Sequence, residues 1–202
     1  MEINTIIHNL KEMLTERGDD ITDFTEKEKT IPRNKFYNDL DIIEFYTDNT
    51  VIIFAFKGLR KNIISELKEN EDNMDEFVKN HGNKMNIILI FNNDIITTPN
   101  ITILSKYDKI MQKRKGMLQY FQINQLLFNP TKHKIVPKHR KLNEDETKKI
   151  MEKYLIKSKL QIPVIMHNDV IAKWLGLKQG ELVEITRYNE NSGVYYYYRC
   201  CI

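Results

Sequence analysis

Three sets of side chains in this 202-residue sequence have types and spacings on which chemistry could be built. The first is Glu66-Leu67-Lys68, an acid and a lysine two positions apart. With a further carboxylate from Asp48 or Asp94 it would make a magnesium-dependent nuclease site. The same residues stand among Lys61, Glu69, Glu71 and Asp72, the mixture of an ordinary solvated helix face, and that reading is preferred. The second set is His133 and His139, six apart among lysines that disfavour a bound cation; no Cys or His pair has zinc spacing. The third is glycine: seven are scattered along the chain, and neither Gly58 nor Gly116 alone builds a phosphate loop. No catalytic residue, metal ligand or cofactor is expected.

Binding chemistry is better represented. Lys113-Arg114-Lys115 and the tract 132–141 are basic and could meet phosphate, although an isolated cluster of this kind is usually a solvated face. The run Tyr195 to Tyr198 reads as a strand, with Tyr195 and Tyr197 on one face and Tyr196 and Tyr198 on the other. One pair is expected to pack on a core and the other to form an aromatic strip. Protein contact is the favoured use, since tyrosine joins apolar area to a hydroxyl and a last strand is a natural edge for strand addition. Stacking of bases is the rival.

These groups sit in a chain able to fold around a core, 41% hydrophobic and 29% charged, with a mean hydropathy of −0.50. No apolar run reaches the ~18 residues of a membrane span, and the first residues lack the pattern of a signal peptide. The only cysteines, Cys200 and Cys201, are adjacent and form no disulfide framework, which points to a reducing, intracellular setting. Ile (28), Lys (24) and Asn (20) dominate the composition, a bias of AT-rich codons that weakens any inference from surface Lys or Asn.

The net charge of +3 conceals two regions. Residues 1–131 carry 17 basic and 20 acidic side chains; residues 132–202 carry 14 and 8. The sign changes at Asn129-Pro130-Thr131, so one domain is expected over 1–131 and a second over 132–202. In the first, a helix over about 3–14 ends at Gly18. A polar stretch follows, then strands at 42–46 and 51–56, a helix over 60–80, strands at 86–91 and 101–104, and a helix over about 106–120. Helices alternating with buried strands imply a layered α/β domain. In the second, Asn143 and Glu146 form a capping box for a helix with Ile150, Met151, Tyr154 and Leu155 inside. Asp169 caps a short helix with Val170, Ile171, Trp174 and Leu175 inside that stops at Gly176, and strands over 182–187 and 194–200 close a hairpin. A core of some 70 residues is marginal alone, so this module would gain from seating on a larger partner.

The order of motifs in the tail carries a resemblance. Val136-Pro137-Lys138-His139, the 142–154 helix, Gln161-Ile162-Pro163, Asn168-Asp169-Val170, Trp174-Leu175-Gly176-Leu177-Lys178 and Gly180-Glu181-Leu182-Val183 are followed by Arg187, Glu190, Ser192-Gly193 and Tyr198-Arg199. Over 133–202 this resembles the assembly domain of the fifth-largest subunit of eukaryotic RNA polymerases, a domain that makes up essentially the whole of the archaeal counterpart. Ile162, Val164 and Asn168 depart from the family's usual Leu, Arg and Asp, and Asp169 stands where it has Pro. Leu10 to Leu14 with Arg17-Gly18, Asn93-Asp94-Ile95 and Thr98-Pro99-Asn100 resemble parts of the eukaryotic form's jaw domain; 19–83 do not align.

The resemblance implies an α/β protein: a three-layer α/β/α jaw without catalytic residues, plus a small α/β assembly domain ending in a hairpin. It implies a non-catalytic subunit that docks on the largest polymerase subunit and lays its jaw beside downstream duplex DNA. Thr98, Pro99 and Asn100 would be the DNA-proximal loop. Val136, Pro137, Lys138, His139, Arg187, Glu190, Gly193, Tyr198 and Arg199 would bind the partner. No small-molecule substrate, cofactor, metal or membrane is implied. The location would be the nucleus for a cellular chain, or the virion or replication compartment for one from a large DNA virus. A free DNA-binding regulator is the alternative, and a magnesium-dependent nuclease the third reading.

Overall fold

The computed structural model describes residues 2–32, 36, 42–55, 63–69, 74–92, 98–191 and 193–202, with backbone only at 68, 69, 74 and 98. The chain divides into two compact units, Met1–Phe128 and Asn129–Ile202.

The N-terminal unit is built on a four-stranded sheet of β1 (Ile43–Tyr46), β2 (Thr50–Phe54), β3 (Asn86–Phe91) and β4 (Met117–Gln122), in that spatial order. β1 is antiparallel to β2, while β2, β3 and β4 are parallel. The central strands read as unbroken apolar runs because both faces are covered. Val51, Ile53, Ile87, Leu89, Phe91 and Leu118 point to one side. There they meet residues of α3 (Ile64–Glu69), α4 (Met74–Asn80) and α5 (Thr98–Lys113). The alternate residues face the other side, where α1 (Glu2–Arg17) and α2 (Thr22–Thr30) belong. Phe24 of α2 lies 4.5 Å from Phe45, centroid to centroid, and Arg17 of α1 donates to Gln119 Oε1 of β4 at 2.7 Å. Helices on two faces of one sheet make the three-layer arrangement.

Several expectations need correction here. Residues 101–104 are not a strand: they continue α5, whose Leu104, Tyr107 and Met111 recur at helical spacing and are buried. That helix ends at Lys113, and 117–122 form β4 instead of its continuation. Gly116 allows the change of direction, because a Cβ there would lie 2.2 Å from the Met85 carbonyl oxygen. The polar stretch after Asp19 contains α2, which buries a single residue, Phe24. The expected 60–80 helix is two, α3 and α4, among the described residues.

In the C-terminal unit a second four-stranded sheet runs in the order β5 (Lys138–Lys141), β7 (Leu182–Asn189), β8 (Gly193–Cys201), β6 (Val164–Ile165). The hairpin is thus its centre, and β5 and β6 are edges. One face packs on α7 (Val170–Trp174) through Ala172, Val183, Ile185 and Cys201. The other meets α6 (Glu144–Lys153) through Leu182, Cys200 and Ile150. Both expected caps are present: Asn143 Oδ1 accepts from the Glu146 N–H at 2.8 Å while Glu146 returns an acceptor to the Asn143 N–H, and Asp169 caps α7. Asn143→Ala is expected to lower the stability of this unit by about 1 kcal/mol. Denaturant unfolding followed by the fluorescence of Trp174 measures it. The stripe expected on α6 is not buried as read: the helix ends at Lys153, and Ile150 and Met151 are only half-buried. Tyr154 is 51% exposed, and Leu155 turns away at φ 54° and is 86% exposed. On α7, Val170 is likewise 44% exposed instead of inside.

Candidate partner-docking site

Of the partner-binding candidates, His139, Arg187 and Arg199 converge on one face of the C-terminal sheet, while Lys138 lies on the other. The chain enters β5 through Val136 and Pro137, and β5 pairs with β7 so that His139 lies opposite Ile185 and Lys138 opposite Thr186. β7 in turn pairs with β8, setting Arg187 opposite Tyr195 and Ile185 opposite Tyr197. His139, Arg187, Tyr197 and Arg199 therefore share a face. The Arg187 and Arg199 guanidiniums lie 5.1 and 5.7 Å from the centroid of the Tyr197 ring. His139 hydrogen-bonds the Pro137 carbonyl at 2.6 Å through Nδ1. Burial, with Arg187 and Arg199 adding to it, holds its pKa below the ordinary value despite the Pro137 contact and the Asp169 charge.

The electrostatics of the sheet are uneven. Arg140 bridges Glu146 at 2.6 Å and Glu184 at 3.1 Å, and Lys141 pairs with Glu181 at 2.7 Å. Arg187 and Arg199 have no carboxylate partner among the described residues; Arg199 instead donates to the Val164 carbonyl at 3.0 Å. Two cations held against one aromatic ring without a counter-ion among the described residues have the chemistry to accept an anionic side chain.

Tyr198 belongs to the opposite face, where its hydroxyl donates to Glu184 at 3.3 Å and its ring lies 5.9 Å from that of Tyr154. Burial and the Glu184 charge push its pKa up to about 12, so it acts as a neutral donor. Gly193 takes φ 70° at the hairpin turn beside the exposed Glu190, and Ser192 lies outside the described residues. The tyrosines alternate between the two faces as expected, but their burial does not follow the face. Tyr195 and Tyr196 are exposed, whereas Tyr197 and Tyr198 are half-buried, because each face is covered only toward the end of β8 that meets a helix. Tyr197, the platform between the arginines, stands out in the sequence only as part of the tyrosine run and is not among the partner-binding residues that the resemblance implies.

In the N-terminal unit, Thr98, Pro99 and Asn100 are the first turn of α5 and not a loop. Proline fits there because the first helical N–H groups have no intrahelical acceptor. Pro99 is exposed and Asn100 is buried. Asp94 lies outside the described residues. Glu66 accepts from His81 Nε2 at 3.2 Å and from the Asn80 amide at 3.2 Å. Asp48 accepts from the Asp20 N–H and from Asn49. Among the described residues no group of three His, Cys, Asp or Glu side chains could hold a metal ion. Arg114, from the basic cluster, pairs with Asp75.

Residues 128–201 match the family described as RNA polymerase Rpb5, C-terminal domain. A relative from Dictyostelium discoideum, named DNA-directed RNA polymerases I, II, and III subunit rpabc1, is 28% identical over 207 residues, covering 100% of this chain and 99% of the relative. The DNA-directed RNA polymerase subunit Rpo5 of Pyrococcus horikoshii is 47% identical over 75 residues, which are 37% of this chain and 90% of that protein. Rpo5 of Pyrococcus abyssi matches to the same extent. Matched at 47% identity along 90% of the archaeal protein, the chain belongs to the Rpb5/Rpo5 family of DNA-directed RNA polymerase subunits and is a non-catalytic one.

Proposed function

We propose that the unit Asn129–Ile202 docks on the largest subunit of the polymerase and that the N-terminal unit serves as a jaw beside the downstream duplex. The observation that carries the docking reading is the pair of arginines, Arg187 and Arg199, held against Tyr197 without a carboxylate partner among the described residues. Large apolar side chains lie bare on the same unit, with Ile135, Leu155 and Leu160 each more than four-fifths exposed. The core of a protein interface is more apolar than the surrounding surface and is enriched in tyrosine and arginine. The chain would be found wherever that polymerase transcribes.

The jaw reading rests on charge. An acidic N-terminal region makes few phosphate contacts, so the free chain should bind duplex DNA weakly and with a shallow salt dependence. As the archaeal relatives consist almost wholly of the matching region, the two halves can be tested apart. Residues 129–202 are expected to retain the largest polymerase subunit in a pull-down, and residues 1–128 to lose it. Retention by 1–128 alone would overturn the assignment. Magnesium-dependent cleavage of DNA abolished by Glu66→Ala would restore the nuclease.

A further inference from the structure

We propose that the outer edge of β8 receives an extended acidic segment of the polymerase subunit on which the chain docks, added to the sheet as a further strand. This rests on the docking reading above and extends it to the mode of contact. β8 pairs with β7 along its whole length, but with β6 only at Val164↔Cys200 and Ile165↔Cys201. The Cys200 and Ile202 N–H groups point toward β6, bonding the Pro163 and Ile165 carbonyls at 2.8 and 3.0 Å, while the Cys201 N–H points the other way, to Glu181. Strand geometry alternates these directions. The N–H and C=O groups of Val194, Tyr196 and Tyr198 therefore turn toward the side that β6 leaves bare, and no strand among the described residues meets them.

Natural sheets usually protect such an edge with proline, a bulge or inward charge. This one has none of these over 194–198: it carries valine and tyrosines, with Val194 and Tyr196 more than half exposed. Main-chain groups supply affinity in strand addition, and side chains at alternate positions supply selection. On one face the guest would meet Tyr195, Tyr197 and Arg199, whose guanidinium reaches over β6 to the Val164 carbonyl. On the other it would meet Val194, Tyr196 and Tyr198. The fitting segment alternates acidic with apolar residues, its carboxylate set against Arg199 and, through the Tyr197 ring, Arg187.

Amide-resolved hydrogen exchange of the full chain, free and in the reconstituted polymerase, tests this. In the free chain the amides of 195, 197 and 199 should be protected and those of 194, 196 and 198 fast. In the assembled enzyme the latter three should slow by more than about two orders of magnitude, as sequestered backbone hydrogen bonds do. The double variant Arg187→Gln, Arg199→Gln should bind about tenfold more weakly at low salt, the equivalent of two exposed ion pairs, with the difference fading as salt rises. A chain that is stably bound while 194, 196 and 198 still exchange at the free rate refutes strand addition and leaves docking intact. Unchanged affinity of the double variant at every salt concentration refutes the acidic occupant. If the full chain does not join the polymerase at all, both readings fall.

Discussion

Trp174→Ala is expected to unfold the C-terminal unit and release the whole chain from the polymerase. Trp174 is 1% exposed on α7, the short helix that covers one face of the small sheet. Truncating a buried tryptophan leaves a large cavity and costs about 3–5 kcal/mol. A core in a unit of this size seldom supplies more than about 3–5 kcal/mol in total, so the substitution removes most or all of its stability. Binding to the partner offsets part of the loss by mass action, but only while partner is in excess. Trp174→Phe keeps most of the volume and should retain both fold and binding. Since the two units are separately compact, the N-terminal unit should keep its own amide signals in the Trp174→Ala chain. Heteronuclear NMR of the full chain and co-purification with the polymerase give the two readouts. A variant that keeps dispersed signals for both units would show that the core closes around the missing ring.

How far the sequence exposed this architecture depended on whether the signal was local. Asn143, Asp169 and Gly176 could be read as caps and a stop because each acts on backbone groups within a few residues of itself. β5 could not: Lys138-His139-Arg140-Lys141 has no apolar alternation and is a strand only because β7 offers it a ladder. Ile101 to Leu104 looks like a strand by residue type, yet the buried positions Leu104, Tyr107 and Met111 decide for helix once a sheet lies beneath them. α2 was invisible because one buried phenylalanine makes no periodicity. The candidate docking face was named in part through resemblance, which put forward Arg187 and Arg199 but not the ring between them. What no sequence pattern could supply was the meeting of Glu44, Glu66 and His81, which are distant along the chain and joined only by the folded sheet and helices.

That meeting leads to a pH dependence of the N-terminal unit. His81 follows α4, its side chain is 7% exposed, and it donates to Glu44 Oε1 at 2.5 Å and Glu66 Oε2 at 3.2 Å. Gly82, at φ 76°, continues the turn where a Cβ would strike the Tyr46 ring. Tyr46 donates its hydroxyl to Glu44 and lies under the Lys27 ammonium at 5.0 Å. Burial alone would push the His81 pKa down, but the hydrogen bond and charge of Glu44, with the smaller effect of Glu66, raise it above 6.5. Burial alone would push Glu44 up, but His81, Tyr46 and Lys27 bring it below 4.5. The imidazolium thus ties β1 to α3 and α4. The folded chain holds the His81 proton more tightly than the unfolded one, so its contribution is complete below pH 6.5 and is lost as pH rises through the folded value. Glu44 works in the opposite direction: its contribution is present above 4.5 and is lost as pH falls through its lowered value. His81→Leu leaves two carboxylates facing an apolar group and should cost about 2–3 kcal/mol near pH 6, less than a fully buried pair because both acids keep a fifth to a quarter of their surface in water. His81→Gln keeps a donor without the charge, so its loss should be smaller and the slope above pH 6.5 should disappear. Trp174 reports on the other unit, so the measurement is urea unfolding followed by far-ultraviolet circular dichroism from pH 5 to 9. Equal slopes in the wild type and His81→Gln would assign the pH dependence elsewhere and reduce the cluster to a packing contact.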